Sequence, residues 1–418
     1  MDNFVIHGGK KLVGEVRISG SKNAALPILA ATLLTREKCV VRNVPDLRDI
    51  KSTFDLLNHL GKKCFFEGGV FTATEPGRLK HDAPYELVRR MRASVLAAGP
   101  LLARLKKVRV SMPGGCSIGV RPIDIHIEAF KKLGAESCYE KGDIVLTGAR
   151  LKPGRVRFRF PSVGATENLM MCAALLDGKT ILENCAREPE IEDLAAALRS
   201  MGAEVEGAGG PRIVIRGQSK LKALRHTVIP DRIETGTYML AAAAAGGKVK
   251  LTAADPKPLG ALIKAMERSG TRVTCGRDSI TVESGGGRPK PVNVSTAPHP
   301  GFPTDLQAPW MSYMARCRGN ASVQENIFEN RFMHAAELLR MGASVYISGN
   351  KAYVHGVEEL NGAPIMASDI RAGAALIVAA GAAKGKSLLR RTYHIDRGYE
   401  RVEEKLRALG MKIERVKA

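Results

Sequence analysis

Residues 191–204, Ile-Glu-Asp-Leu-Ala-Ala-Ala-Leu-Arg-Ser-Met-Gly-Ala-Glu, place apolar side chains at helical spacing, then a glycine, then the start of a strand. Gly202 suits the left-handed residue that ends a helix and turns the chain into a strand. The same ending recurs along the whole chain, with its glycine at Gly61, Gly134, Gly202, Gly270, Gly342 and Gly410. Six such endings, spaced by about 70 residues, predict a repeated structural unit.

Each repeat also contains an earlier helical segment rich in alanine and glycine, which predicts an inner helix buried on all faces. Short alternating runs such as 352–355 predict half-buried strands. The predicted unit is strand, helix, strand, helix, strand, strand. Because 418 residues exceed one hydrophobic core, six units predict an α/β fold of two three-repeat domains, 22–229 and 1–21 with 230–418. The strand before Ser21 has no unit of its own, and we expect it to close the second domain.

The composition, with 44% hydrophobic and 25% charged residues, is that of a globular protein. No run reaches the roughly 18 apolar residues of a membrane span, and the N-terminus does not have the pattern of a signal peptide. The eight cysteines show no CxxC spacing, so we expect no metal site and a cytoplasmic, reducing location.

The net charge of +22 is compatible with nucleic-acid binding. However, the basic residues are spread along the whole chain, and aromatic residues, at 5%, offer few surfaces for stacking bases. We therefore expect small anionic ligands rather than nucleic acid or a membrane.

Polar residues collect at the predicted starts of the inner helices. Helix N-termini offer unpaired N–H groups and partial positive charge, and cationic side chains there reinforce anion binding. The alternative is that Thr304 and Asp369 cap helices and that the cations are solvated. The residues concerned are Lys22, Asn23, Arg92, Ser162, Gly164, Glu234, Asp305, Asp369 and Arg371.

Residues 113–119, Pro-Gly-Gly-Cys-Ser-Ile-Gly, place Cys116 among three glycines, which indicates a mobile loop. Cys172, by contrast, lies in an apolar run typical of a core. Backbone N–H groups and the nearby Arg121 favour the reactive thiolate of Cys116. On the residues alone, a catalytic and a structural role for Cys116 are equally supported.

The chain resembles the family of UDP-N-acetylglucosamine 1-carboxyvinyltransferases, which are enolpyruvyl transferases, over essentially its full length. The resemblance implies a two-domain inside-out α/β barrel with its active site in the interdomain cleft. It implies transfer of the enolpyruvyl group of phosphoenolpyruvate to UDP-N-acetylglucosamine through a tetrahedral ketal, without cofactor or metal, in peptidoglycan synthesis. The matching phrases lie at 20–27, 91–94, 113–116, 121–126, 162–168, 230–237, 302–308, 328–332, 368–373 and 394–399.

The same resemblance implies a role for each matching position. Residues that would bind phosphoenolpyruvate or its leaving phosphate are Lys22, Arg92, Arg121, Arg371 and Arg397. Residues that would hold the sugar nucleotide or the intermediate are Asn23, Ile327 (through its backbone), Arg331 and Asp369. Residues that would cradle uridine and its diphosphate are Arg121, Pro122, Ile123, Asp124, Ile125, Ser162, Val163 and Gly164. Asp305 would be the base near the sugar hydroxyl, and Cys116 would protonate the methylene carbon and be alkylated by fosfomycin.

One position departs from part of the family. Some members carry a basic residue two positions before the serine of the Ser-Val-Gly phrase, where this chain has Phe160. A diphosphate contact from that side chain must therefore be absent here. The alternatives are a shikimate-pathway enolpyruvyl transferase, an RNA-terminal phosphate cyclase and a non-enzymatic, basic nucleic-acid-binding protein.

Overall fold

The structure, a computed structural model, describes residues 2–89, 91–111 and 123–417, except for the side chain of Arg92. Helices α1 to α13 span Lys22–Ala31, Arg48–His59, Tyr85–Val88, Ala98–Leu105, Asp124–Lys132, Val163–Ala173, Pro189–Ser200, Arg232–Ala245, Gly260–Arg268, Gln307–Met314, Ala335–Arg340, Ile370–Ala382 and Val402–Ala408. Short 3₁₀ helices span Thr32–Leu34, Arg92–Ala97, Lys257–Leu259, Thr304–Leu306 and Thr392–Arg397.

The strands belong to four-stranded sheets. Strands β1 to β24 span Asp2–His7, Leu12–Arg17, Cys39–Arg42, Lys63–Glu67, Val70–Thr74, Asp82–Ala83, Lys107–Ser111, Glu136–Glu140, Asp143–Thr147, Arg155–Arg157, Gly178–Glu183, Glu204–Glu206, Arg212–Gly217, Arg225–Thr227, Gly247–Thr252, Arg272–Cys275, Ser279–Ser284, Val294–Ser295, Asn320–Gln324, Ser344–Ser348, Lys351–His355, Pro364–Met366, Lys386–Arg390 and Lys412–Lys417.

The six repeat glycines adopt the backbone conformation that the sequence predicts. Their φ angles are all positive, between +85° at Gly342 and +105° at Gly61. Each glycine follows an outer helix, and a strand begins two residues later, at Lys63, Glu136, Glu204, Arg272, Ser344 and Lys412. A side chain would strain this left-handed backbone, which is why glycine marks every repeat.

The six sheets of the described residues share one topology. In each, a strand pairs in parallel with its neighbour, which pairs antiparallel with the next, and an antiparallel edge strand follows. The strand orders are β14-β3-β5-β4, β6-β7-β9-β8, β10-β11-β13-β12, β2-β15-β17-β16, β18-β19-β21-β20 and β22-β23-β1-β24.

Three strands reach their sheets from distant parts of the sequence. β14 completes the first sheet by pairing in parallel with β3. The N-terminal segment supplies two strands rather than the single strand that we expected. β2 pairs with β15, and β1 lies between β23 and β24, where Phe4 and Ile6 are fully buried. In the sixth sheet, β1 takes the place that the last strand of the repeat has in the other sheets.

The described chain forms two compact units. Of the described residues, 20–89, 91–111 and 123–229 form the first unit, and 2–19 with 230–417 form the second. Each has its own apolar core, in which the alanine-rich inner helices lie. In the second unit, for example, α8, α10 and α12 pack against one another, and α12 is buried from Arg371 to Gly381. Small side chains allow this close packing, and the predicted inside-out α/β barrel fold of six βαβαββ repeats is confirmed. Among the described residues, no helix has the length and apolar composition needed to cross a membrane.

Candidate active site

The first helix of the first unit begins at Lys22, as predicted. Ser21 caps it by accepting a hydrogen bond from the Ala24 amide at 3.3 Å. The Lys22 side chain is buried, and its Nζ lies 3.0 Å from Oδ2 of Asp49, in the first turn of α2. This ion pair fixes a positive charge at the start of an inner helix. Asn23, next to it, is half-buried.

The predicted uridine segment forms the start of α5. Ile123 is buried, and the Ile125 amide donates to Oδ1 of Asp124 at 2.9 Å. α6 begins at Val163, after Ser162, whose Oγ accepts from the Ala165 amide at 3.3 Å. At each of these helix starts, one first-turn N–H group is therefore already bound by a neighbouring side chain.

Asn168, which lies in the matching phrase 162–168 but received no predicted role, links α6 to the segment 95–99 and to α5. Its Oδ1 accepts from the Gly99 amide at 2.8 Å, and its Nδ2 donates to the Val95 carbonyl at 2.9 Å. The same amide group lies 2.9 Å from Nδ1 of His126. Because the amide nitrogen only donates, His126 accepts through Nδ1 and carries its proton on Nε2. A methyl group on Gly164 would lie 3.3 Å from the His126 ring.

Arg159 contacts the start of α5. Its guanidinium group pairs with Asp124 and, at 3.0 Å, with Oε1 of Glu128. The neighbouring Phe160 is 42% exposed and supplies no charge. A cation is therefore present close to the predicted uridine segment, although not at the position where some family members have one.

Asp305 is the centre of a charged cluster in the second unit. Arg331 Nη2 donates to its Oδ1 at 2.5 Å, and Arg371 Nη2 donates to its Oδ2 at 3.0 Å. Both arginines are 5% exposed. The Asp305 side chain caps neither the 3₁₀ helix that contains it nor α10. No side chain of the described residues caps either helix start, so the capping alternative is wrong for Thr304.

A tyrosine holds Arg371 from the other side. Arg371 Nη1 donates to the Tyr399 hydroxyl at 3.1 Å, and this hydroxyl lies 2.9 Å from Thr237 Oγ1. Burial disfavours the charged guanidinium, but Asp305 and Tyr399 outweigh it and keep the pKa of Arg371 above its ordinary value. Arg371 is thus a fixed, permanently charged group. Tyr399 lies in the matching phrase 394–399, but its contact with Arg371 depends on packing and could not be predicted.

Asp369 is a helix cap, as the alternative interpretation holds. It accepts hydrogen bonds from the amides of Arg371, at 2.9 Å, and Ala372, at 3.1 Å. Arg397 ends the 3₁₀ helix Thr392–Arg397 and is half-buried. The preceding Asp396 binds Arg415 through two hydrogen bonds, of 2.7 and 3.1 Å, which anchor this helix to β24.

Glu234 does not belong with the anion-binding residues. It is 2% exposed, and its carboxylate accepts hydrogen bonds from Lys405 Nζ and from the Ser19 amide, each at 2.7 Å. Burial raises its pKa despite the contact with Lys405. The expectation that Glu234 joins an anion site is wrong, because a cation from α13 already occupies its carboxylate.

Four predicted site positions lie wholly or partly outside the described residues. These are Cys116, Arg121, Pro122 and the side chain of Arg92. Within the ranges that the structure does describe, no group of three or more His, Cys, Asp or Glu side chains is arranged to hold a metal ion.

The comparisons with known proteins cover nearly the whole chain. The family model described as EPSP synthase (3-phosphoshikimate 1-carboxyvinyltransferase) matches residues 6–406. A UDP-N-acetylglucosamine 1-carboxyvinyltransferase from Elusimicrobium minutum (strain Pei191) is 53% identical over 416 residues, 99% of each chain. The chain belongs to the UDP-N-acetylglucosamine 1-carboxyvinyltransferase family. Another member, from Endomicrobium trichonymphae, is 51% identical over 415 residues, 99% of each chain.

The fold of this family member is also that of solved enolpyruvyl transferases. The crystal structure of the enolpyruvyl transferase NikO from Streptomyces tendae superposes with a TM-score of 0.90 at 26% sequence identity. The match covers 100% of this chain and 99% of that chain. The family resemblance that the sequence motifs indicate is therefore confirmed.

Proposed function

We propose that this protein transfers the enolpyruvyl group of phosphoenolpyruvate to the 3-hydroxyl of UDP-N-acetylglucosamine and releases phosphate, the first committed step of peptidoglycan synthesis. The observation that carries the proposal is the position of Asp305 between two buried arginines. This arrangement places a carboxylate that can act as a base next to cations that can bind an anionic substrate. The relatives at 53% and 51% identity bear the name of this activity.

Asp305 accepts the proton of the sugar hydroxyl while the hydroxyl oxygen adds to the central carbon of phosphoenolpyruvate. Cys116 gives a proton to the methylene carbon, and a tetrahedral ketal results. Loss of a proton from the former methylene carbon and of phosphate from the central carbon then yields the enolpyruvyl ether. Lys22, Arg92, Arg121 and Arg397 neutralise the charge of the departing phosphate.

The two arginines that pair with Asp305 are also groups to which an anionic substrate can bind. In the described structure both carboxylate oxygens accept hydrogen bonds from arginines. The carboxylate and phosphate of phosphoenolpyruvate compete for the same guanidinium groups, because Arg binds both kinds of anion. A substrate anion that accepts hydrogen bonds from Arg371 therefore weakens the 3.0 Å contact between Arg371 and Oδ2 of Asp305.

An assay of phosphate release tests the proposed reaction directly. We expect phosphate from phosphoenolpyruvate in the presence of UDP-N-acetylglucosamine, and none with shikimate 3-phosphate as acceptor. Release with shikimate 3-phosphate alone would establish the shikimate-pathway alternative. Salt-dependent DNA binding without any phosphate release would support the non-enzymatic alternative.

The setting of the reaction stays a prediction. We propose that the enzyme works in the cytoplasm, since the cysteines of the described chain are all free, as is typical of a reducing compartment. That the residues of the two units serve one site, in a cleft between domains, is likewise part of the proposal.

Fosfomycin should alkylate Cys116 alone among the eight cysteines. The other seven are poor nucleophiles, because burial and neighbouring groups raise the pKa of each of them. For Cys172, burial raises the pKa to about 12. Peptide mass spectrometry after treatment, with and without UDP-N-acetylglucosamine, should find the label on Cys116 and faster labelling with the sugar nucleotide.

Substitutions of Cys116 test whether its thiol acts as the proton donor and as the group that fosfomycin alkylates. Cys116→Ser should resist the drug and lose most turnover, because a hydroxyl is a far weaker acid. Cys116→Asp should resist the drug and keep activity, because a carboxyl group still donates a proton. Cys138→Ser, at an exposed cysteine, is the matched control and should behave as wild type. Label on Cys172 or Cys317 would contradict the assignment.

Arg159 should supply the diphosphate charge that Phe160 does not. It precedes Ser162 by three residues and already contacts Asp124 of the predicted uridine segment. We expect Arg159→Ala to raise KM for UDP-N-acetylglucosamine about ten-fold with little change in kcat, since a charge-assisted contact is lost in substrate and transition state alike. Steady-state kinetics with varied sugar nucleotide measures this.

A second substitution makes the Arg159 experiment specific. Adding Phe160→Lys to Arg159→Ala restores a cation one residue away and should return KM toward the wild-type value. Arg155→Ala is the control, because Arg155 pairs outward with Glu183 on the neighbouring strand. An unchanged KM in Arg159→Ala would remove this side chain from substrate binding.

A further inference from the structure

Glu325, which directly follows β19, is a buried carboxylate that binds four hydrogen-bond donors. It is 2% exposed. Its Oε1 accepts from Thr296 Oγ1 at 2.9 Å, from the Ile327 amide at 2.8 Å and from the Phe328 amide at 3.2 Å. Its Oε2 accepts from Thr304 Oγ1 at 2.9 Å. All four donors are neutral, so they stabilise the carboxylate through hydrogen bonds and not through ion pairs.

These bonds join two segments of chain that lead to the charged cluster. Thr304 immediately precedes Asp305, at the start of the inner helix. Ile327 and Phe328 begin the segment that runs to Arg331. Arg331 and Asp305 meet at 2.5 Å. One carboxylate therefore binds both sides of this ion pair, through the Thr304 hydroxyl and the amides of Ile327 and Phe328, within four residues of it.

A carboxylate suits this position because it only accepts hydrogen bonds and has two oxygens. Burying a charged group costs free energy, and well-packed apolar residues are often at least as stabilising as buried charges. A requirement for stability alone therefore does not explain Glu325. A requirement for fixed geometry does, because four bonds from three segments hold the turn at 325–328 against Thr304.

We infer that Glu325 is a positioning residue that sets the placement of Asp305 relative to Arg331 and Ile327 for the enolpyruvyl transfer. It does not touch the reacting atoms and acts through Thr304 and the 327–328 backbone. The inference rests on the proposed function, in which Asp305 is the base and Arg331 and Ile327 hold the substrate. Small displacements of a base from its reacting proton lower turnover more than they weaken binding.

Glu325→Ala should lower kcat about 100-fold and change KM for UDP-N-acetylglucosamine by no more than about three-fold. Glu325→Gln should retain most of kcat. Its carbonyl oxygen can accept the three donors at Oε1, and its amide group can donate to Thr304, whose hydroxyl rotates to accept. Thr304→Val removes only the link to Asp305 and should lower kcat about ten-fold.

Ser269→Ala is the matched control. Its hydroxyl is buried in the same unit and donates to the Met266 carbonyl at 2.6 Å. It also lies 2.9 Å from the Tyr313 hydroxyl, at the end of α10 opposite to Asp305. It should lose stability without losing kcat. If Glu325→Ala does not fold, Thr304→Val and Glu325→Gln still decide the question, since a kcat loss in the first and retention in the second support positioning.

The outcomes separate this inference from the proposed function. Wild-type protein that releases no phosphate with UDP-N-acetylglucosamine contradicts the proposed function. Active wild type with unchanged kcat in folded Glu325→Ala or in Thr304→Val overturns the positioning role. A loss in Glu325→Gln as large as in Glu325→Ala also overturns it, because the charge itself would then take part. An effect confined to KM would assign Glu325 to binding instead.

Discussion

Asp305→Asn should reduce turnover by about two to four orders of magnitude while the fold and much of the substrate binding persist. The amide has nearly the shape of the carboxylate but cannot take the proton of the sugar hydroxyl. One amide oxygen also remains to accept from Arg331 or Arg371, which now hold Asp305 at 2.5 and 3.0 Å. Phosphate release under saturating substrates measures turnover, and calorimetry with UDP-N-acetylglucosamine measures binding.

Two comparisons distinguish a base from an anchor for the arginines. Asp278→Asn, at an exposed aspartate of the same unit, should leave both turnover and binding unchanged. If Asp305→Asn binds the sugar nucleotide poorly and its turnover falls only in proportion, Asp305 serves to orient Arg331 and Arg371. Near-normal turnover in the variant would exclude Asp305 from the mechanism.

Glu75→Gln should destabilise the first unit by about 3–5 kcal/mol, the cost of leaving buried charges uncompensated. Oε2 of Glu75 forms ion pairs with Lys62 Nζ at 2.9 Å and with Arg104 Nη1 at 2.7 Å. The side chains of Lys62 and Glu75 are 0% and 1% exposed. The glutamine keeps some hydrogen bonds but leaves two cations without their anion. Urea unfolding, monitored through hydrogen exchange of the amides in the first unit, measures the loss of unfolding free energy.

The pH dependence of stability provides a second measurement of the same network. Burial opposes ionisation of Glu75, but Arg104 and Lys62 outweigh it and lower its pKa. The group's contribution is therefore present above the ordinary glutamate pKa and lost as pH falls through the lowered folded value. Wild type and Glu75→Gln should converge in stability on acidification. Glu67→Gln, at an exposed position on β4, should match wild type at every pH, and equal stability of Glu75→Gln and wild type at neutral pH would contradict the prediction.

The charged partners in the candidate site could not be read from sequence. Lys22 was predicted to lie at a helix start, which it does, but its partner Asp49 is 27 residues away on another helix. Glu234 has the same kind of position in its repeat and is occupied by Lys405, 171 residues away. Helix position is a local property, whereas the choice of ion partner depends on how helices pack.

Thr304 and Asp369 show the same limit for helix caps. Both precede an inner helix, and the sequence allows either to cap it. Asp369 does so, whereas Thr304 donates to Glu325 because that buried carboxylate lies within reach. Capping would require the Thr304 oxygen to face the first-turn amides, and only the folded chain shows that Glu325 orients this hydroxyl instead. The role of Cys116, whose loop lies outside the described residues, stays a prediction.

The sequence by itself determined the repeat, the inner and outer helices, and the family. Glycine at a left-handed helix end and alanine in a buried helix express local conformational and packing preferences, which recur in every unit. Only the tertiary structure decided how the sheets are completed and how the site is held. Phe4 pairs with Leu389, and Glu325 joins Thr296 to Thr304 and the 327–328 backbone. Such contacts follow from mutual packing and hydrogen-bond satisfaction between distant segments, for which no local pattern exists.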